Sequence, residues 1–404
     1  MAKEQSIEEL VGELNKTYHK YKEPEVIPTG YRVLDGVLSG GIATNTILEI
    51  ASESGIGKST ITLNICKVLC SKGYNVLYID SECGVKDDLL TKTGVMKYKN
   101  NFNQMEGGCF TILAESGAEQ IDDLLDKVCP TKKFQFIVID SLHMISTNSY
   151  LGKDKTSINT GRIGDHAKML GILLKKVNRY RIENDIGFIL VNQVREVIGS
   201  YIKTMQMTGG AIVKYVPDII VEMTSGGFLK GNNDVIMGRK IFVKATKSRY
   251  GAGNIKTAMY CLYGYGICNA LSYADLLEEG NYEYEGKPIV TKSGSWYTFN
   301  LGKEERFQGR NTLVSKILEN EKFFDEYFKD SVFSMEKSEV NMYLSQEQSV
   351  VESSDVLYED DRYKFIEATD DQLDEGYAAQ RIDKETGEVT PVVAEEIQNA
   401  RESL

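Results

Sequence analysis

Residues 47–70 read ILEIASESGIGKSTITLNICKVLC, and this stretch decides the fold. The apolar run ILEI comes first, a loop of small residues follows, and the rest has the spacing of a helix. A strand, a small-residue loop ending in Gly-Lys-Ser and a helix form the context of a phosphate-binding Walker A motif. Free backbone N–H groups at the start of such a helix hold phosphate oxygens. The sequence therefore predicts a nucleotide-binding unit.

The residue types in this loop assign the first roles. Lys58 would reach the β- and γ-phosphates, and the Ser59 hydroxyl would bind Mg²⁺. The first glycine of the G-x-x-x-x-G-K-[ST] pattern is Ser52 here, which leaves a plain Gly-rich turn as the alternative. The predicted nucleotide contacts in the loop are Ser52, Glu53, Ser54, Gly55, Ile56, Gly57, Lys58, Ser59 and Thr60.

Acidic residues follow two other predicted strands. Asp140 ends FIVID, where a Walker B aspartate helps to hold Mg²⁺, so Ser59 and Asp140 are the predicted metal residues. Asp80 and Glu82 end VLYIDSE. Because sites in doubly wound sheets form at the carboxyl ends of strands, Glu82 is the candidate general base for the water that attacks the γ-phosphate. The alternative for each acid is a helix cap or a turn residue.

A polar pair, Asn192-Gln193, ends a fourth predicted strand, FILVNQ. A polar amide that leaves a buried strand can sense a γ-phosphate. The segment that follows, up to Gly209-Gly210, lacks the patterning of a helix or a strand, so we predict a long mobile loop there. Such a loop would couple the nucleotide state to a second ligand.

Apolar runs that alternate with helical patterns set the wider organisation. The runs ILEI, VLYI, FIVI, FILV, DIIVEM and KIFVKA are rich in β-forming residues. Their alternation with helical patterns predicts an α/β fold with a doubly wound, mostly parallel sheet. The predicted domains are an N-terminal helix in 1–24, the α/β core in 25–268, a small α+β domain in 269–335 and an acidic tail in 336–404.

The negative charge is concentrated at the C-terminal end. The 404 residues carry a net charge of −12, and residues 351–404, with sixteen acids and five bases, account for −11 of it. The acidic composition therefore does not exclude nucleic-acid binding by the rest of the chain. The sequence leaves open whether the tail is ordered.

Composition excludes several classes of protein. The hydrophobic fraction of 42% and the charged fraction of 26% are those of a globular chain. No stretch has the roughly 18 uncharged apolar residues of a membrane span, and acids stand where a secretion signal has its apolar core. Seven cysteines without a C-x-x-C pair disfavour a disulfide framework or a zinc knuckle. We expect reduced thiols and a cytoplasmic protein.

These motifs resemble the RecA family of recombinases over about residues 24–330. The matching segments occur in the family's order: PTGYRVLDGVLSGG, the phosphate loop, IDSE, IDSL, RIGDHAKML, VNQVRE, TGGAIVKY, KATKSR, SGSWY and FQGRN. The last two discriminate best, because they lie outside the ATPase core, where nucleotide chemistry does not constrain them. The degenerate Walker A loop and the acidic tail look more like the bacteriophage branch of the family.

The resemblance implies a RecA-type P-loop ATPase that hydrolyses ATP to ADP and phosphate with Mg²⁺, in response to DNA. It implies a recombinase that forms filaments on single-stranded DNA, pairs it with homologous duplex DNA and exchanges strands. Single-strand-binding and loader proteins would be further partners, in the host cytoplasm if a phage encodes the chain. The alternative is a RecA-fold ATPase with another role, such as a hexameric helicase motor or a regulatory ATP switch.

The resemblance also assigns roles to the residues named above. Lys58, Ser59 and Asp140 would bind MgATP. Glu82 would be the catalytic carboxylate, and Gln193 would couple the γ-phosphate to DNA binding. The N-terminal helix would pack on the adjacent subunit of a filament.

Two segments, residues 149–166 and 194–210, resemble the family's DNA-binding loops. In the second loop an arginine and a glycine pair would hold phosphates, and an isoleucine would wedge between base steps. A lysine just after the first loop stands where the family has a DNA-binding arginine. The predicted DNA contacts are Lys168, Arg195, Ile198, Gly209 and Gly210.

Other positions follow the family or depart from it. Lys247 and Arg249 match two basic positions that reach across a filament interface to the neighbour's ATP, the second being arginine rather than lysine. The adenine-facing tyrosine is replaced near Leu89, which leaves base selectivity open. Phe242 stands at the position of a second-site arginine, which leaves the second DNA site open.

Two further residues have plainer interpretations. His143 lacks metal-ligand spacing to any acid or cysteine cluster, so we expect it to pack structurally after the strand that ends in Asp140. We expect Trp296 to lie in the core of the small domain rather than to stack on a ligand.

Overall fold

The structure is a computed structural model. It describes residue 7 and residues 11–13, 23–100, 107–146, 164–196, 205–230, 235–250, 256–264, 266–280, 282–328, 356–359, 363–367, 379–383 and 389–392. The chain divides into two compact units, Met1–Phe333 and Ser334–Leu404, and each is described by itself.

Helices and strands alternate along the first unit. Its helices are α1 Arg32–Val37, α2 Lys58–Ser71, α3 Asp87–Thr93, α4 Ala118–Val128, α5 Asp165–Asn184, α6 Ile212–Tyr215, α7 Asn269–Glu279, α8 Arg310–Glu319 and α9 Glu321–Tyr327, with 3₁₀ turns at Val95–Tyr98, Cys129–Thr131 and Leu142–Met144. Its strands are β1 Val26–Ile27, β2 Ile42–Ala43, β3 Ile47–Ser52, β4 Val76–Asp80, β5 Phe110–Ala114, β6 Phe136–Asp140, β7 Gly187–Glu196, β8 Met205–Met207, β9 Ile219–Lys230, β10 Ile236–Ser248, β11 Lys256–Leu262, β12 Gly266–Ile267, β13 Glu283–Tyr284, β14 Lys287–Pro288, β15 Val290–Ser293, β16 Trp296–Asn300 and β17 Glu304–Gln308.

A ten-stranded sheet forms the centre of this unit, in the order β12-β11-β10-β9-β3-β7-β6-β4-β5 with β8 paired to β7. The strands from β9 to β5 run parallel to one another, and the remaining pairs are antiparallel. The predicted α/β fold with a mostly parallel sheet is confirmed. Asp80 pairs with Asp140 and Ser52 pairs with Gln193, so the predicted site residues reach the same edge of the sheet.

Helices cover both faces of the sheet and form two core clusters. On β3, Leu48 and Ile50 enter the cluster that contains α2, whereas Ile47 and Ala51 enter the cluster that contains α4 and α5. Successive side chains of a strand point to opposite faces, so an uninterrupted apolar run is suited to a sheet that is covered on both sides. This packing fixes the strand ends from which the site is built.

All six apolar runs predicted as strands are strands, but the sequence pattern missed β5. This strand is the outermost one beside β4, and its residues pass from buried to exposed along the sequence FTILA. A strand with one neighbour and one partly exposed end has a weaker apolar signal than a central strand.

A third core cluster lies between residues 268 and 328. It contains α7, α8 and α9 together with the antiparallel sheet β15-β16-β17. Tyr273, Phe324 and Phe328 are fully buried there. These elements fall in the predicted small α+β domain, whose exact boundaries stay a prediction.

The prediction that Trp296 lies in the core is wrong. Its side chain is 45% exposed, and the Arg306 guanidinium lies over the indole at 5.3 Å from the ring centroid. Tyr297 and Phe299, which alternate with outward positions on β16, occupy the core instead. A shift of one residue in a strand exchanges the buried and exposed faces. The sequence pattern did not show which alternate residues of this strand face the core.

The second unit contains a four-stranded antiparallel sheet in the order β18-β19-β20-β21. Its strands are β18 Val356–Glu359, β19 Tyr363–Glu367, β20 Ala379–Asp383 and β21 Val389–Val392. The sequence had left open whether the acidic tail is ordered, and these segments of it are strands.

The N-terminal helix predicted in 1–24 lies largely outside the described residues. Residue 7 and residues 11–13 are helical, and Ile7 and Val11 are exposed. Among the helices that the structure describes, none has both the length and the apolar character needed to cross a membrane. All seven cysteines are free thiols, as expected.

Candidate nucleotide site and nucleic-acid interface

The phosphate loop turns sharply between β3 and α2. Gly57 has a φ of 112°, in the left-handed region that favours glycine, and α2 begins at the next residue, Lys58. The Gly57 carbonyl accepts a hydrogen bond from the Ile61 amide at 3.0 Å. Residues 54–60 line a cavity of about 510 Å³. The unpaired N–H groups of the first turn of α2 therefore lie at this cavity, where they can bind an anion.

Lys58 is held under the loop by backbone carbonyls. Its ammonium donates hydrogen bonds to the Ser52 carbonyl at 3.2 Å and the Glu53 carbonyl at 2.9 Å, and it lies 3.4 Å from the Ser52 hydroxyl oxygen. Burial lowers the pKa of Lys58, and the negative charges of Asp140 and Glu82 oppose that shift. Serine in place of the usual glycine thus supplies an additional acceptor for the lysine.

Asp140 has the chemistry of a Mg²⁺ ligand. The Tyr78 hydroxyl donates a hydrogen bond to one of its carboxylate oxygens, Oδ2. The other, Oδ1, is buried and has no hydrogen-bond partner among the described residues. Burial raises the pKa of Asp140, and the hydroxyls of Tyr78 and Ser59 oppose the shift. A free carboxylate oxygen beside a serine hydroxyl fits a hard cation that prefers oxygen ligands.

Glu82 lies across from the residues that follow β6. The Ser141 hydroxyl donates a hydrogen bond to Glu82 Oε1 at 2.6 Å, and the same hydroxyl oxygen lies 2.7 Å from His143 Nδ1. Asp80 accepts hydrogen bonds from the backbone amides of Glu82 at 3.2 Å and Val85 at 2.9 Å. Asp80 therefore shapes the turn, as the alternative interpretation of the strand-end acids has it, whereas Glu82 faces the cavity.

The cavity brings several predicted residues together and leaves others beside it. Glu82 and Gln193 line it with the phosphate loop. Leu89, from α3, and Tyr263, which is 58% exposed, also line it. An aliphatic and an aromatic side chain there offer apolar surface to a nucleotide base. Ser52, Glu53 and Asp140 lie behind the lining and contact or influence Lys58.

Gln193 connects the cavity to the start of the second predicted DNA loop. Its side-chain oxygen accepts hydrogen bonds from the Arg195 guanidinium at 3.1 and 3.3 Å. Its backbone carbonyl accepts a hydrogen bond from the Thr208 amide at 3.1 Å. A nucleotide contact at Gln193 and a nucleic-acid contact at Arg195 would therefore share one amide side chain.

The predicted loop boundaries at 194–210 need correction. Strand β7 continues to Glu196 and pairs with β8, with Val194 opposite Met207. The first three residues of the predicted loop are therefore strand, because the antiparallel partner returns from the far end of the same segment. Ile198 and most of 149–166 lie outside the described residues.

The glycine pair packs against residues of α5 that are close to Lys168 in the sequence. Gly209 and Gly210 have φ values of 112° and 74°. A Cβ atom on Gly209 would lie 2.8 Å from a Leu170 methyl, and one on Gly210 would lie 3.2 Å from the Ala167 Cβ atom. The pair therefore packs against the first turns of α5, beside the exposed Lys168. Exposed cations and backbone amides are groups that bind DNA phosphates, and Lys168 and the glycine pair offer these two kinds of group.

Lys247 and Arg249 do not line the cavity of their own chain, as far as the described residues show. The Lys247 ammonium donates hydrogen bonds to the backbone carbonyls of Lys214 at 3.0 Å and Tyr215 at 2.8 Å, in α6. The Arg249 guanidinium pairs with Asp218 at 2.9 Å. Burial and the charge of Arg249 lower the pKa of Lys247. Both cations are thus held by the segment that follows the glycine pair.

Comparison with known proteins places this site in a family. Residues 6–268, more than half of the chain, match the RecA N-terminal domain. The chain belongs to the RecA family. Protein RecA of Malacoplasma penetrans is 26% identical over 338 residues, which cover 81% of this chain and 96% of that protein. Protein RecA of Chlamydia felis is 30% identical over 338 residues, covering 81% and 89%. Protein RecA of Bifidobacterium breve is 28% identical over 306 residues, covering 73% and 72%.

Membership of the RecA family assigns the chain to DNA recombination and repair, with ATP as the nucleotide. RecA-family proteins are DNA-dependent ATPases that use ATP with Mg²⁺, bind single-stranded DNA and assemble into filaments.

Sequence reasoning missed several residues around the RecA-family site. Tyr78 lies inside β4, and nothing in VLYID shows that its hydroxyl reaches Asp140. Arg239 donates a hydrogen bond to the Gly55 carbonyl at 2.8 Å from a strand far along the chain. His143 was expected to have a structural role, but it lines the cavity. The signal that could have found His143 is its position three residues after Asp140, on the turn that leaves the sheet edge.

Proposed function

We propose that this chain is an ATP-dependent recombinase of the bacteriophage branch of the RecA family. It polymerises on single-stranded DNA, pairs it with homologous duplex DNA and exchanges the strands. It hydrolyses ATP to ADP and phosphate in response to DNA, in the cytoplasm of its host, where single-strand-binding and loader proteins are further partners. The degenerate loop beginning at Ser52 and the acidic tail support the bacteriophage branch.

One observation carries the proposal: a single cavity joins the phosphate loop, Glu82 and Gln193, and Gln193 contacts Arg195 directly. The loop amides and Lys58 would hold the phosphates. Bound Mg²⁺ would neutralise phosphate charge, and Ser59 and Asp140 are the residues that would hold it. The cavity thus joins the groups proposed to bind ATP to the arginine proposed to bind DNA, which supports the proposal.

Glu82 is proposed as the general base. It accepts a proton from water while the water oxygen bonds to the γ-phosphorus and the bond from that phosphorus to the β–γ bridging oxygen breaks, releasing ADP. Lys58 stabilises negative charge that develops on the phosphate oxygens. Its hydrogen bonds to the Ser52 and Glu53 carbonyls, which hold it at the phosphate loop, support this role.

Lys168, Arg195 and the Gly209-Gly210 backbone are proposed to hold DNA phosphates, and Ile198 to wedge between base steps. The packing of the glycine pair against Ala167 and Leu170, on either side of Lys168 in the sequence of α5, supports this assignment. Phosphate and backbone contacts of this kind bind single strands with little preference for sequence.

Lys247 and Arg249 are proposed to complete the ATP site of the neighbouring subunit in a filament. Support comes from their place away from the cavity of their own chain. To reach a neighbour they must leave α6 and Asp218, so assembly would be coupled to movement of the segment after the DNA loop. The N-terminal helix, with Ile7 and Val11 exposed, is proposed to pack on the adjacent subunit.

Imaging with single-stranded DNA and a slowly hydrolysed ATP analogue tests the proposal. We expect helical filaments that need both ligands, together with ATP hydrolysis that DNA stimulates and strand exchange between homologous DNAs. Closed rings with duplex unwinding would favour the helicase alternative. ATP binding without assembly or DNA response would favour the regulatory switch.

A further inference from the structure

Glu82, Ser141 and His143, which follow the carboxyl ends of β4 and β6, form a chain of contacts at the wall of the cavity. The Ser141 hydroxyl oxygen lies 2.6 Å from Glu82 Oε1 and 2.7 Å from His143 Nδ1. His143 Nε2 lies 3.8 Å from Glu82 Oε1. The His143 side chain is 10% exposed and that of Glu82 is 42% exposed, so the carboxylate can meet water while the imidazole supports it.

Counting hydrogens gives these contacts a direction. An ionised carboxylate can only accept, so the single hydroxyl hydrogen of Ser141 points to Glu82. The Ser141 oxygen then accepts from His143, which must carry its hydrogen on Nδ1. In the neutral imidazole, Nε2 is left without a hydrogen. The order of donation is therefore His143 to Ser141 to Glu82.

The backbone holds Ser141 at a fixed distance from Glu82. The Ser81 amide donates to the Asp140 carbonyl at 2.7 Å. The Ser81 hydroxyl donates to the Ser141 carbonyl at 2.7 Å and accepts from the Ser141 amide at 2.7 Å. These bonds join the two chain segments directly before Glu82 and His143. Rigid support of this kind is what a base with a defined orientation needs.

The surroundings keep His143 neutral near pH 7. Burial lowers the pKa of His143. The charge of Glu82 opposes this shift, whereas the charges of Arg195, Lys58 and His166, from β7, α2 and α5, lower the pKa further. At low pH, the protonated ring would place a positive Nε2–H beside Glu82 and hold the carboxylate away from water.

We propose that Ser141 and His143 form a hydrogen-bonded clamp that orients Glu82 toward the attacking water, so that both are positioning residues for ATP hydrolysis. This inference rests on the proposed function, because it refines the role given there to Glu82. The clamp occupies one lone pair of Oε1 and leaves the rest of the carboxylate to accept the proton from water. In other enzymes, too, a catalytic base is held in its working orientation by a further side chain that hydrogen-bonds to it.

The test uses the full chain with single-stranded DNA and compares His143→Ala, His143→Asn and Ser141→Ala. For the two alanine variants we expect kcat for ATP hydrolysis to fall about 10- to 100-fold, because a misoriented group costs that much, with KM and ATP affinity within about twofold of wild type. The asparagine amide can replace the Nδ1 donor, so His143→Asn should recover most of kcat. Met144→Ala, on the same 3₁₀ turn and exposed, is the matched control and should leave kcat unchanged.

Two further measurements separate positioning from a structural role. We expect wild-type kcat, measured over about pH 5.5–8.5, to fall toward acid in part because His143 becomes protonated. This part of the fall should be absent in His143→Asn, because the asparagine side chain does not titrate in this range. In a Glu82→Gln background, His143→Ala should cost nothing more, because the clamp acts through Glu82.

The outcomes distinguish this inference from the proposed function. If Glu82→Gln is inactive but His143→Ala and Ser141→Ala match wild type, the clamp is wrong and the proposed function stands. The clamp is also wrong if His143→Ala slows Glu82→Gln as much as it slows the wild type. If Glu82→Gln hydrolyses ATP at the wild-type rate, both the catalytic assignment and the clamp fail. Should His143→Ala not fold, the rate and pH profile of His143→Asn decide the matter in the same way.

Discussion

The phosphate end of the cavity and the nucleic-acid face of the same sheet edge differ in how their side chains are held. Lys58 and Asp140 are buried, and each contacts groups on a neighbouring element. Lys168 and Arg195 are exposed, and the guanidinium of Arg195 rests on Gln193. The groups proposed for ATP binding and hydrolysis are thus held in place by buried contacts, whereas the groups proposed for DNA binding face solvent.

This difference follows from what each ligand requires. Stabilising charge on a phosphoryl group needs fixed dipoles in a site that excludes water. Binding a long polyanion needs exposed cations along a path, and its strength comes from released counterions. Gln193 is the residue at which the fixed region and the exposed region meet. The predictions below concern first the fixed region, then the contact between neighbouring subunits, then the buried residue Glu49 and finally the exposed region.

The largest effect is expected from Glu82→Gln. We expect ATP turnover with DNA to fall by about 10²- to 10⁴-fold, because the amide cannot accept a proton from the attacking water. The Gln oxygen can still accept from Ser141, so the fold and ATP binding should be kept. Steady-state release of phosphate and equilibrium binding of ATP measure the two effects.

Lys58→Ala is the contrasting variant for the same region. Losing a charged donor to phosphate should weaken ATP binding by about tenfold or more, at roughly 1.5–3 kcal/mol per charged hydrogen bond. A Glu82→Gln protein that hydrolyses ATP at the wild-type rate contradicts the catalytic assignment. Equal ATP affinity for wild type and Lys58→Ala contradicts the assignment of the phosphate loop.

The fixed region was also the part that the sequence predicted best. Asp140 follows an apolar run directly, Glu82 follows one after Asp80-Ser81, and Lys58 closes the loop that leaves a third run. Parallel strands bring such positions to one edge. Side-chain contacts between neighbouring strands could not be predicted from the sequence, because they depend on how the strands are aligned with each other. The bond from Tyr78 to Asp140 needs the register of β4 against β6, which the sequence does not state.

Predictions outside the fixed region were weaker for identifiable reasons. The pattern SGSWYTF allows either alternate face of a strand to be buried, and Trp296 was assigned to the wrong one. Segment 194–210 lacks an apolar pattern, yet its ends form a ladder because Val194 meets Met207. Lys247 binds backbone carbonyls, and backbone acceptors carry no sequence signal.

The connection between subunits gives the second prediction. Lys247→Ala alone should lose most ATPase if Lys247 serves the neighbour's site. An equal mixture of Lys247→Ala and Glu82→Gln proteins should recover activity at on the order of a quarter of the junctions, where an intact Glu82 face meets an intact Lys247 face of a head-to-tail assembly. Phosphate release at several mixing ratios, with single-stranded DNA in excess, measures the recovery.

Each variant measured alone at the same total concentration is the control for this mixture. A mixture no more active than the average of the two separate variants contradicts the arrangement across subunits. Full turnover by dilute monomer without DNA contradicts it as well.

The third prediction concerns Glu49, which lies where the two regions meet. Its side chain is fully buried on β3 and accepts a hydrogen bond from Asn192 Nδ2 at 2.8 Å. Asn192 also donates to the Thr208 carbonyl, at 2.9 Å, near the end of the predicted DNA loop. Burial raises the pKa of Glu49 from 4.5 to about 8, with the hydrogen bond from Asn192 and the charge of Lys247 opposing.

A raised pKa means that the folded chain holds a proton that the unfolded chain releases. The stability that Glu49 contributes is therefore complete below pH 4.5 and is lost as the pH rises toward about 8. Within that window we expect the free energy of unfolding to fall by about 1.4 kcal/mol per pH unit through this one group. Glu49→Gln should remove that slope, since the amide is neutral at every pH.

Urea unfolding of wild type and Glu49→Gln across this pH window measures the difference in free energy. Other titrating groups are common to both proteins, so their contributions cancel in the comparison. Identical pH dependence of the two proteins contradicts a protonated Glu49 in the folded chain.

The exposed region should give the smallest effect, because one cation among several contributes modestly to binding a polyanion. Arg195→Ala should weaken single-stranded DNA binding a few-fold at low salt and reduce the slope of log affinity against log salt by about 0.7, the contribution of one phosphate contact on a single strand. ATP binding without DNA should not change, because Gln193 keeps its place on β7.

Lys127→Ala is the matched control: this lysine lies in the last turn of α4, which begins near the carboxyl end of β5 and runs to the opposite edge of the sheet. Fluorescence anisotropy across a salt titration compares the two variants. Equal salt slopes for Arg195→Ala and Lys127→Ala would remove Arg195 from the DNA interface and leave it as a structural partner of Gln193.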